Sequence, residues 1–264
     1  MYCRRCGAEI SEDVNYCNIC GAPLRPEPAP PAPPPRAENK VFIAVIGSII
    51  IISVLVLPSV LLEEASLSAL QTPILEAADY DNPVTRDYAL SLVRSTHSGE
   101  YNIFQVCDIW EGVYSQWVYV GDPRGEDYFS PASRTINISL KGDCDDYAIV
   151  VASLVGAIGG EARVVAASDI SGNGHAFAEA LVAHDYDDLQ EISGYICERY
   201  GCERVWYQER SDIAGNSDYW INLDWQSNHP GGEFCPMDEI QVIYLEGYSR
   251  SLEPGDEPVL SISV

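Results

Sequence analysis

The stretch "LKGDCDDYAIVVASLVGAIGG", residues 140–160, places a cysteine among three aspartates directly ahead of an apolar run. From Tyr147 to Ile158 nearly every residue is apolar or small, which predicts a helix buried at the centre of a domain. Cys144 then falls in the first turn of this helix, with Asp143 as the predicted N-cap. A helix N-terminus stabilises a thiolate through its dipole and free N–H groups, so Cys144 is a candidate nucleophile despite its acidic neighbours.

The segments on either side of this helix predict an α+β domain. Upstream, residues 82–97 and 101–120 have apolar residues at helical spacing, and Asn82 before Pro83 is a predicted N-cap. Downstream, most segments have the composition and alternation of strands, and one helix is predicted to stop at Gly201. The predicted strands are "EARVVAAS", "HAFAEALVAH", "RVWYQE", "YWINLDW" and "EIQVIYL". Because helices precede most of the strands, we expect an antiparallel sheet on one side of the helices.

Two downstream residues are candidates to act with Cys144. His175 begins a predicted strand after a glycine-rich turn, where a side chain is both positioned and reachable. Asp224 lies inside the otherwise apolar "YWINLDW", and a buried acid in the middle of a strand requires a partner such as an imidazole. Taken singly, a buried cysteine is usually a small hydrophobe and a strand aspartate can serve a backbone group. Together they predict a thiol, a base and an acid that orients the base.

Three motifs resemble those of the transglutaminase-like superfamily: "GDCDDYAIVVASLVGAIGGEARVV", "GHAFAEAL" and "YWINLDW". Their order, spacing and context match from about residue 80 to residue 245, and "NPVTRDYA" and "WVYVGDPRGEDYFSPASRTI" resemble the archaeal members in particular. The resemblance implies a papain-like fold, with a helical half that carries the nucleophile packed on a sheet that carries the other two groups. It implies that Cys144 is the nucleophile, His175 the general base and Asp224 the orienting acid.

The resemblance also implies an acyl-transfer reaction on an amide, through a thioester that water or a second amine resolves. Hydrolysis and amine transfer use the same three groups, so the choice between them stays open. Backbone N–H groups at the helix start, including that of Cys144, are expected to bind the oxyanion, with Trp117 or Gln116 as a side-chain donor. A catalytically inactive binding, scaffold or sensor protein of the cell envelope is the alternative, because superfamily members include such proteins.

Residues 1–24 predict a small zinc-binding domain. Cys3 and Cys6 form one CxxCG knuckle and Cys17 and Cys20 form another, a spacing that suits tetrahedral Zn²⁺. So short a segment cannot bury enough surface to fold alone, so the metal is expected to be structural. Two disulfides or a redox motif are the alternatives, and the paired knuckles disfavour both. The segment resembles the zinc ribbons at the N-termini of many prokaryotic membrane proteins.

The next two segments predict a spacer and a membrane anchor ahead of a domain at residues 63–264. Residues 25–40 are proline-rich and predict an extended linker. Residues 41–62 contain no charged residue, and as a helix they would span about 33 Å, enough for a bilayer core. Basic residues precede this segment and acidic residues follow it. The predicted topology is therefore a single pass with a cytoplasmic N-terminus and an extracytoplasmic C-terminal domain.

The net charge of the large domain limits the partners that it can bind. The protein has 264 residues and a net charge of −25, and because charges cancel over residues 1–40, the large domain carries the deficit. We therefore expect that domain not to bind nucleic acid. The expected partners are a protein or peptide substrate at the cell envelope, the membrane, and a cytoplasmic protein that binds the zinc ribbon.

The disulfide pairing of four cysteines is left open, and among them Cys197 and Cys202 could close a small loop. The four are Cys107, Cys197, Cys202 and Cys235.

A calcium site is a further alternative at the start of the central helix. Asp143, Asp145 and Asp146 could combine with the loop at residues 168–174. The ligand spacing matches no standard calcium loop, which disfavours this interpretation.

Overall fold

The computed structural model describes residue 9 and the ranges 69–123, 128–169, 171–211, 216–236, 239–252 and 256–264. The chain divides into two compact units, Met1–Leu55 and Val56–Val264, and the second contains the domain described below. The predicted zinc ligands, the linker and the membrane helix at residues 41–62 lie outside the described residues. Among the residues that are described, no helix combines the length and apolar composition that a bilayer crossing requires.

The domain contains a group of helices followed by a large sheet. The helical elements are residues 69–77 (α1), Pro83–Leu92 (α2), Ile103–Tyr114 (α3), Ala132–Asn137 (α4), Cys144–Ala157 (α5) and Tyr186–Tyr200 (α6), with a 3-10 turn at Ser95–His97. The strands are Val118–Tyr119 (β1), Lys141–Gly142 (β2), Ala162–Ser168 (β3), Gly174–Ala183 (β4), Arg204–Ser211 (β5), Ser217–Asn222 (β6), Glu239–Tyr244 (β7), Tyr248–Leu252 (β8) and Val259–Ser263 (β9).

Seven strands form one sheet in the order β8-β7-β3-β4-β6-β5-β9, and every neighbouring pair in it is antiparallel. The short strands β1 and β2 form a separate parallel pair. The predicted α+β class with an antiparallel sheet is confirmed. One boundary differs from the prediction, because β6 ends at Asn222 and Asp224 follows the strand instead of lying inside it.

Local sequence signals place the helix ends. The Asn82 side chain accepts the N–H of Val84 at 2.9 Å, which confirms the predicted cap of α2. The N-terminus of α3 has a capping box between Asn102 and Gln105, and each side chain binds the other residue's backbone. Helix α6 ends where predicted, at Gly201, whose φ of 71° is a left-handed conformation that glycine adopts without strain.

Helix α5 is the centre of the hydrophobic core. Eleven of its residues, all but one of those from Asp146 to Ala157, are buried. It packs on β3 and β4, where β4 presents Ala176, Ala178 and Ala180 toward the helical layer. Small side chains on that face let the helix backbone lie close to the sheet. The opposite face of the sheet carries a second apolar cluster, which contains Phe177 and Trp220 among others.

A buried ionic cluster lies beside this second apolar cluster. The guanidinium of Arg163 contacts Glu179 (Nε to Oε2, 2.5 Å) and Glu257 (Nη2 to Oε2, 2.8 Å), and all three side chains are fully buried. The Arg163 guanidinium also lies 4.2 Å from the ring centroid of Trp220. Burial raises the pKa of Glu179, and the charge of Arg163 acts against that rise. Glu257 also lies 3.5 Å from Nη1 of Arg250, so the carboxylate that depends on Arg163 alone is that of Glu179.

Replacing Arg163 with methionine should reduce the free energy of unfolding by about 3–5 kcal/mol, because the buried Glu179 carboxylate loses its cation. Chemical denaturation of the full-length protein, followed by tryptophan fluorescence, measures this loss. Arg204→Met is the matched control, since Arg204 is exposed on β5 of the same sheet. Adding Glu179→Gln to Arg163→Met should recover part of the stability. Equal effects of Arg163→Met and Arg204→Met would contradict the expected dependence on the buried pair.

Candidate active site

The turn before Cys144 is held by a buried carboxylate. Asp146 accepts the backbone N–H of Ser130 at 2.9 Å and also that of Asp143. Gly142 ends β2 directly beside this carboxylate, and a Cβ at that position would overlap it. Only glycine fits without displacing Asp146, so the contact fixes the path of the chain into α5. Cys144 is the first residue of α5 and is half-buried.

His175 and Asp224 form the expected pair. His175 is the second residue of β4, and Asp224 follows β6, which is the strand paired with β4. Nε2 of His175 lies 2.7 Å from Oδ2 of Asp224, and both side chains are buried. The loop after β6 holds Asp224 in place: its N–H donates to Oδ1 of Asn222, and its Oδ1 accepts the N–H of Gln226.

The imidazole of His175 joins this carboxylate to the thiol of Cys144. A hydrogen bond links the His175 ring to the Cys144 side chain, and because Nε2 contacts Asp224, the Nδ1 atom faces the sulfur. Burial opposes a charge on the ring, but the hydrogen bonds to Asp224 and Cys144 outweigh it and raise the pKa of His175 to about 9. The imidazolium is therefore the favoured form at neutral pH, next to the sulfur that it can stabilise as a thiolate.

Three carboxylates converge at the same helix start. Oxygens of Asp143, Asp145 and Asp146 lie within 4.8 Å of one another. Burial, followed by the hydrogen bond and charge of Asp143, raises the pKa of Asp145 to about 9. Burial also raises the pKa of Asp146 to about 6, although the N–H of Ser130 acts against this. At neutral pH, Asp145 therefore holds a proton.

One prediction about this region needs correction. Asp143 occupies the N-cap position of α5 but makes no side-chain cap, because its carboxylate meets Asp145 and accepts the N–H of Asp122 at 3.4 Å. In the loop proposed to share a calcium ion, Asp169 accepts the N–H groups of Ser171 and Asn173. Asp169 therefore stabilises its own turn and is not one of the three converging carboxylates.

A cleft of about 540 Å³ opens at Cys144 and His175. Its floor is the helix-facing side of three adjacent strands, where the pairing register places small residues next to one another, Ala166 opposite Ala176 and Ser168 opposite Gly174. The walls come from α1, α5, β7 and the segments before α4 and α5. They include Leu70, Ile74, Tyr119, Phe129, Asp143, Asp145, Glu239 and Gln241.

The two predicted oxyanion donors lie outside the cleft lining. Gln116 is exposed, and its amide donates to the carbonyl of Gly112 at 2.7 Å and to the hydroxyl of Tyr88 at 3.2 Å. Trp117 packs edge-to-face on Tyr147, with ring centroids 5.0 Å apart. Its indole N–H is buried and has no hydrogen-bond partner among the described residues.

Aromatic residues that sequence patterns did not single out lie at the site. Tyr119 lines the cleft, and its ring centroid is 5.4 Å from that of Trp225, the residue after Asp224. Burial and the charge of Cys144 raise the pKa of the Tyr119 hydroxyl. Phe129 adds a second aromatic wall. Tyr119 lies in the segment predicted as the end of a helix, but α3 ends at Tyr114 and Tyr119 belongs to β1. Phe129 lies in a predicted loop, so the pattern of neither segment indicated a role at the site.

The other cysteines of the described domain are free thiols, and Cys197 and Cys202 are not joined by a disulfide. The two side chains are nevertheless in contact. Burial, followed by the hydrogen bond to Cys202, raises the pKa of Cys197 to about 12. Cys107 is buried in α3, where burial raises its thiol pKa to about 12 as well. A high thiol pKa makes both residues poor nucleophiles at neutral pH, unlike the half-buried Cys144 beside an imidazolium.

Comparison with known proteins identifies the N-terminal segment. A family described as the zinc-ribbon domain matches residues 2–24, which include the four predicted zinc ligands. This domain type implies zinc binding. No curated protein matches the chain.

Solved structures with a similar domain include two bacterial proteins. A candidate cysteine protease from Cytophaga hutchinsonii is 14% identical, with a TM-score of 0.33 over 74% of this chain and 56% of that chain. A candidate protease from Parabacteroides distasonis is also 14% identical, with a TM-score of 0.40 over 72% of this chain and 30% of that chain. The chain thus spans about half of the first protein and under a third of the second.

The raised pKa of Asp145 predicts a specific pH dependence of stability. Because its folded pKa lies above the unfolded value of 3.8, its contribution is fully present below about pH 4 and is lost as the pH rises toward 9. Asp145→Asn removes this loss. The melting temperature of the variant should therefore exceed that of the wild type by a few degrees at pH 8–9, at about 2–4 °C per kcal/mol for a domain of this size.

The Asp145→Asn measurement needs a matched substitution at an exposed aspartate. Asp87→Asn on α2 makes the same chemical change away from the cleft. The difference in melting temperature between Asp145→Asn and the wild type should grow between pH 5 and pH 9, while that of Asp87→Asn stays flat. If the difference in melting temperature does not change with pH for either variant, the surroundings of Asp145 do not raise its pKa.

Proposed function

We propose that the protein is a membrane-anchored cysteine enzyme of the transglutaminase-like superfamily that acts on amide or peptide bonds outside the cytoplasm. The observation that carries the proposal is the connected set Cys144, His175 and Asp224 at one end of an open cleft. The 2.7 Å contact between His175 and Asp224 orients the ring, and the second ring nitrogen meets the thiol. A nucleophile, its base and an orienting acid in hydrogen-bond contact are the requirements of acyl transfer.

In the first half of the proposed reaction, the Cys144 thiolate attacks the carbonyl carbon of the substrate. A C–S bond forms, and the π electrons of the carbonyl move to its oxygen. The N–H of Cys144, at the start of α5, is suited to bind this oxyanion, since the first N–H groups of a helix have no intrahelical acceptor. When the tetrahedral species collapses, His175 gives its proton to the departing amine, and a thioester remains.

In the second half, an acceptor resolves the thioester. His175, now neutral, takes a proton from water, and the resulting hydroxide attacks the thioester carbon. Collapse expels the Cys144 thiolate and releases a carboxylic acid. An amine in place of water would give a new amide by the same steps. We favour hydrolysis, because water is abundant outside the cell and the open cleft gives it access to the thioester.

The location is part of the proposal. The uncharged segment at residues 41–62 is proposed to cross the membrane once, with the zinc ribbon in the cytoplasm and residues 63–264 outside. A zinc ribbon retains its thiolates in a reducing compartment, which supports this orientation. The proposed substrates are surface proteins or peptides of the cell envelope. The proposed role of the ribbon is to bind a cytoplasmic protein.

The reactivity of Cys144 tests the proposed pair. At about pH 6, iodoacetamide should modify Cys144 of the full-length protein at least tenfold faster in the wild type than in His175→Ala, because the imidazolium stabilises the thiolate. The rate is read by mass spectrometry on the peptide that contains Cys144, so the other thiols do not interfere. The wild-type profile should show a further inflection near pH 9, where His175 loses its proton.

Two further variants sharpen this experiment. Asp224→Asn should give an intermediate rate, because the ring keeps its neighbour but loses the carboxylate charge. His184→Ala is the control, since His184 is an exposed histidine that contacts Asp218 away from the cleft. Equal alkylation of wild type and His175→Ala would overturn the enzymatic proposal and favour the non-catalytic envelope protein instead.

The proposed topology has its own test. The full-length protein should remain with the membrane fraction after an alkaline carbonate wash, and deletion of residues 41–62 should release it. Protease added to intact cells should digest residues 63–264 and spare the zinc ribbon. Release of the full-length protein by the wash, or digestion of the ribbon in intact cells, would contradict the proposed anchor or its orientation.

A further inference from the structure

The cleft beside Cys144 has a floor without large side chains. The register pairs Ala166 with Ala176 and also with Gln241, so these residues share one face of β4, β3 and β7. One step nearer the open end, Ser168 lies opposite both Gly174 and Glu239. Side chains this small leave a shallow channel across three strands. At about 540 Å³ the space has the volume of a ligand-binding cleft and can hold a short peptide segment.

Negative charge lies on two sides of this channel. Asp143 and Asp145 project from the start of α5, and Glu239 begins β7 on the far side of β3. Of the described residues that line the cleft, none is a lysine or an arginine. Because Asp145 holds a proton at neutral pH, the negative charge beside the channel comes from the other two carboxylates.

Glu239 is available to bind a ligand. Its side chain is exposed, and the structure describes one hydrogen bond to it, from the hydroxyl of Ser168 at 3.4 Å. That bond directs one carboxylate oxygen toward β3 without neutralising the charge. No ion pair involving Glu239 occurs within the described parts of the chain.

The remaining wall of the cleft is apolar. Leu70 and Ile74 of α1 and the ring of Phe129 line it. A lysine or arginine side chain has an aliphatic stem that packs on apolar surface and a charged end that seeks carboxylates. The cleft offers both kinds of contact beside the reactive sulfur. A neutral side chain would use only the apolar contacts, and an acidic one would face repulsion.

We propose that the cleft selects peptide substrates with a lysine or arginine side chain next to the reacting carbonyl, and that Glu239 is the specificity-determining residue. This inference rests on the proposed function, since it places the substrate at the Cys144 sulfur. Glu239 is a binding residue in this assignment, and the transfer of the acyl group does not require it.

Charged thiol reagents test the field around Cys144 without a known substrate. Three methanethiosulfonates of similar size carry a trimethylammonium group, no charge or a sulfonate, and each transfers its thioalkyl group to the cysteine with release of methanesulfinate. In the full-length protein, the cationic reagent should modify the Cys144 peptide at least tenfold faster than the anionic one at low ionic strength. The ratio should shrink as salt is added, because exposed charges are screened.

The variant Glu239→Gln isolates the proposed residue. A unit charge about 8 Å from the sulfur changes each rate by about twofold in a water-like dielectric, in opposite directions for the two reagents. The ratio of cationic to anionic rates should therefore fall about fourfold in Glu239→Gln. Glu191→Gln on α6 is the matched control, since it removes the same charge from an exposed site that does not line the cleft. Its ratio should stay within the error of the wild type.

Peptide protection separates recognition of a substrate from a general attraction of cations. The blocked tripeptide amides Ala-Lys-Ala and Ala-norleucine-Ala differ in one positive charge and have similar aliphatic stems. The lysine peptide should slow modification of Cys144 by the neutral reagent at a lower concentration than the norleucine peptide does. That difference should disappear in Glu239→Gln and persist in Glu191→Gln.

The outcomes distinguish this inference from the proposed function. If the neutral reagent modifies Cys144 no faster in the wild type than in His175→Ala, the proposed enzyme fails, whatever the charge preference. If Cys144 is reactive and dependent on His175, the inference fails in either of two cases. In the first case, Glu239→Gln and Glu191→Gln change the ratio of cationic to anionic rates equally. In the second case, the lysine and norleucine peptides protect Cys144 equally or not at all.

Discussion

The packing of α5 against the alanine-lined face of β4 is the contact on which the rest of the domain depends. A helix that is buried on nearly all sides has one way to lie in the core, so its first residue, Cys144, arrives at one place. β4 brings His175 to the same place, because the strand and the helix pack along their lengths. The loop after β6 then needs only to present one carboxylate. The geometry of the site is thus a consequence of core packing.

The charged groups around Cys144 have opposing effects on its thiolate, and core packing alone would not produce this arrangement. Asp143, Asp145 and Asp146 disfavour a thiolate at Cys144, while the helix start and the imidazolium of His175 favour it. Asp146 is needed to hold the turn before the cysteine, so its charge is a structural requirement. Burial reduces the conflict by keeping a proton on Asp145 at neutral pH. The cysteine therefore sees fewer negative charges than the sequence "GDCDDY" suggests.

Sequence patterns predicted the elements whose signals are local. The apolar run of α5, the cap at Asn82 and the stop at Gly201 each depend on a few neighbouring residues, and the structure confirms all three. The pairing of His175 with Asp224 was predictable because a buried acid must have a partner. The strand boundary before Asp224 was not, since the apolar residues continue past the last ladder hydrogen bonds. The cap expected from Asp143 failed because its neighbours along the chain compete for the same carboxylate. The cleft walls depend on strands that are distant in sequence, so no local sequence pattern predicts which residues line the cleft.

Strand β4 links the candidate site to the buried ionic cluster on the other side of the sheet. His175 lies opposite Ala167 of β3, and four residues later Glu179 lies opposite Arg163, with which it forms a buried ion pair. A slip of one residue in this pairing would turn each side chain to the other face of the sheet. It would separate Glu179 from Arg163 and shift His175 along β3. A buried ion pair adds little net stability compared with apolar residues of the same size, but it penalises a wrong register heavily. The position of the ion pair on the strand that carries His175 therefore has a functional consequence, because the pair stabilises the register in which β4 places His175 beside β3.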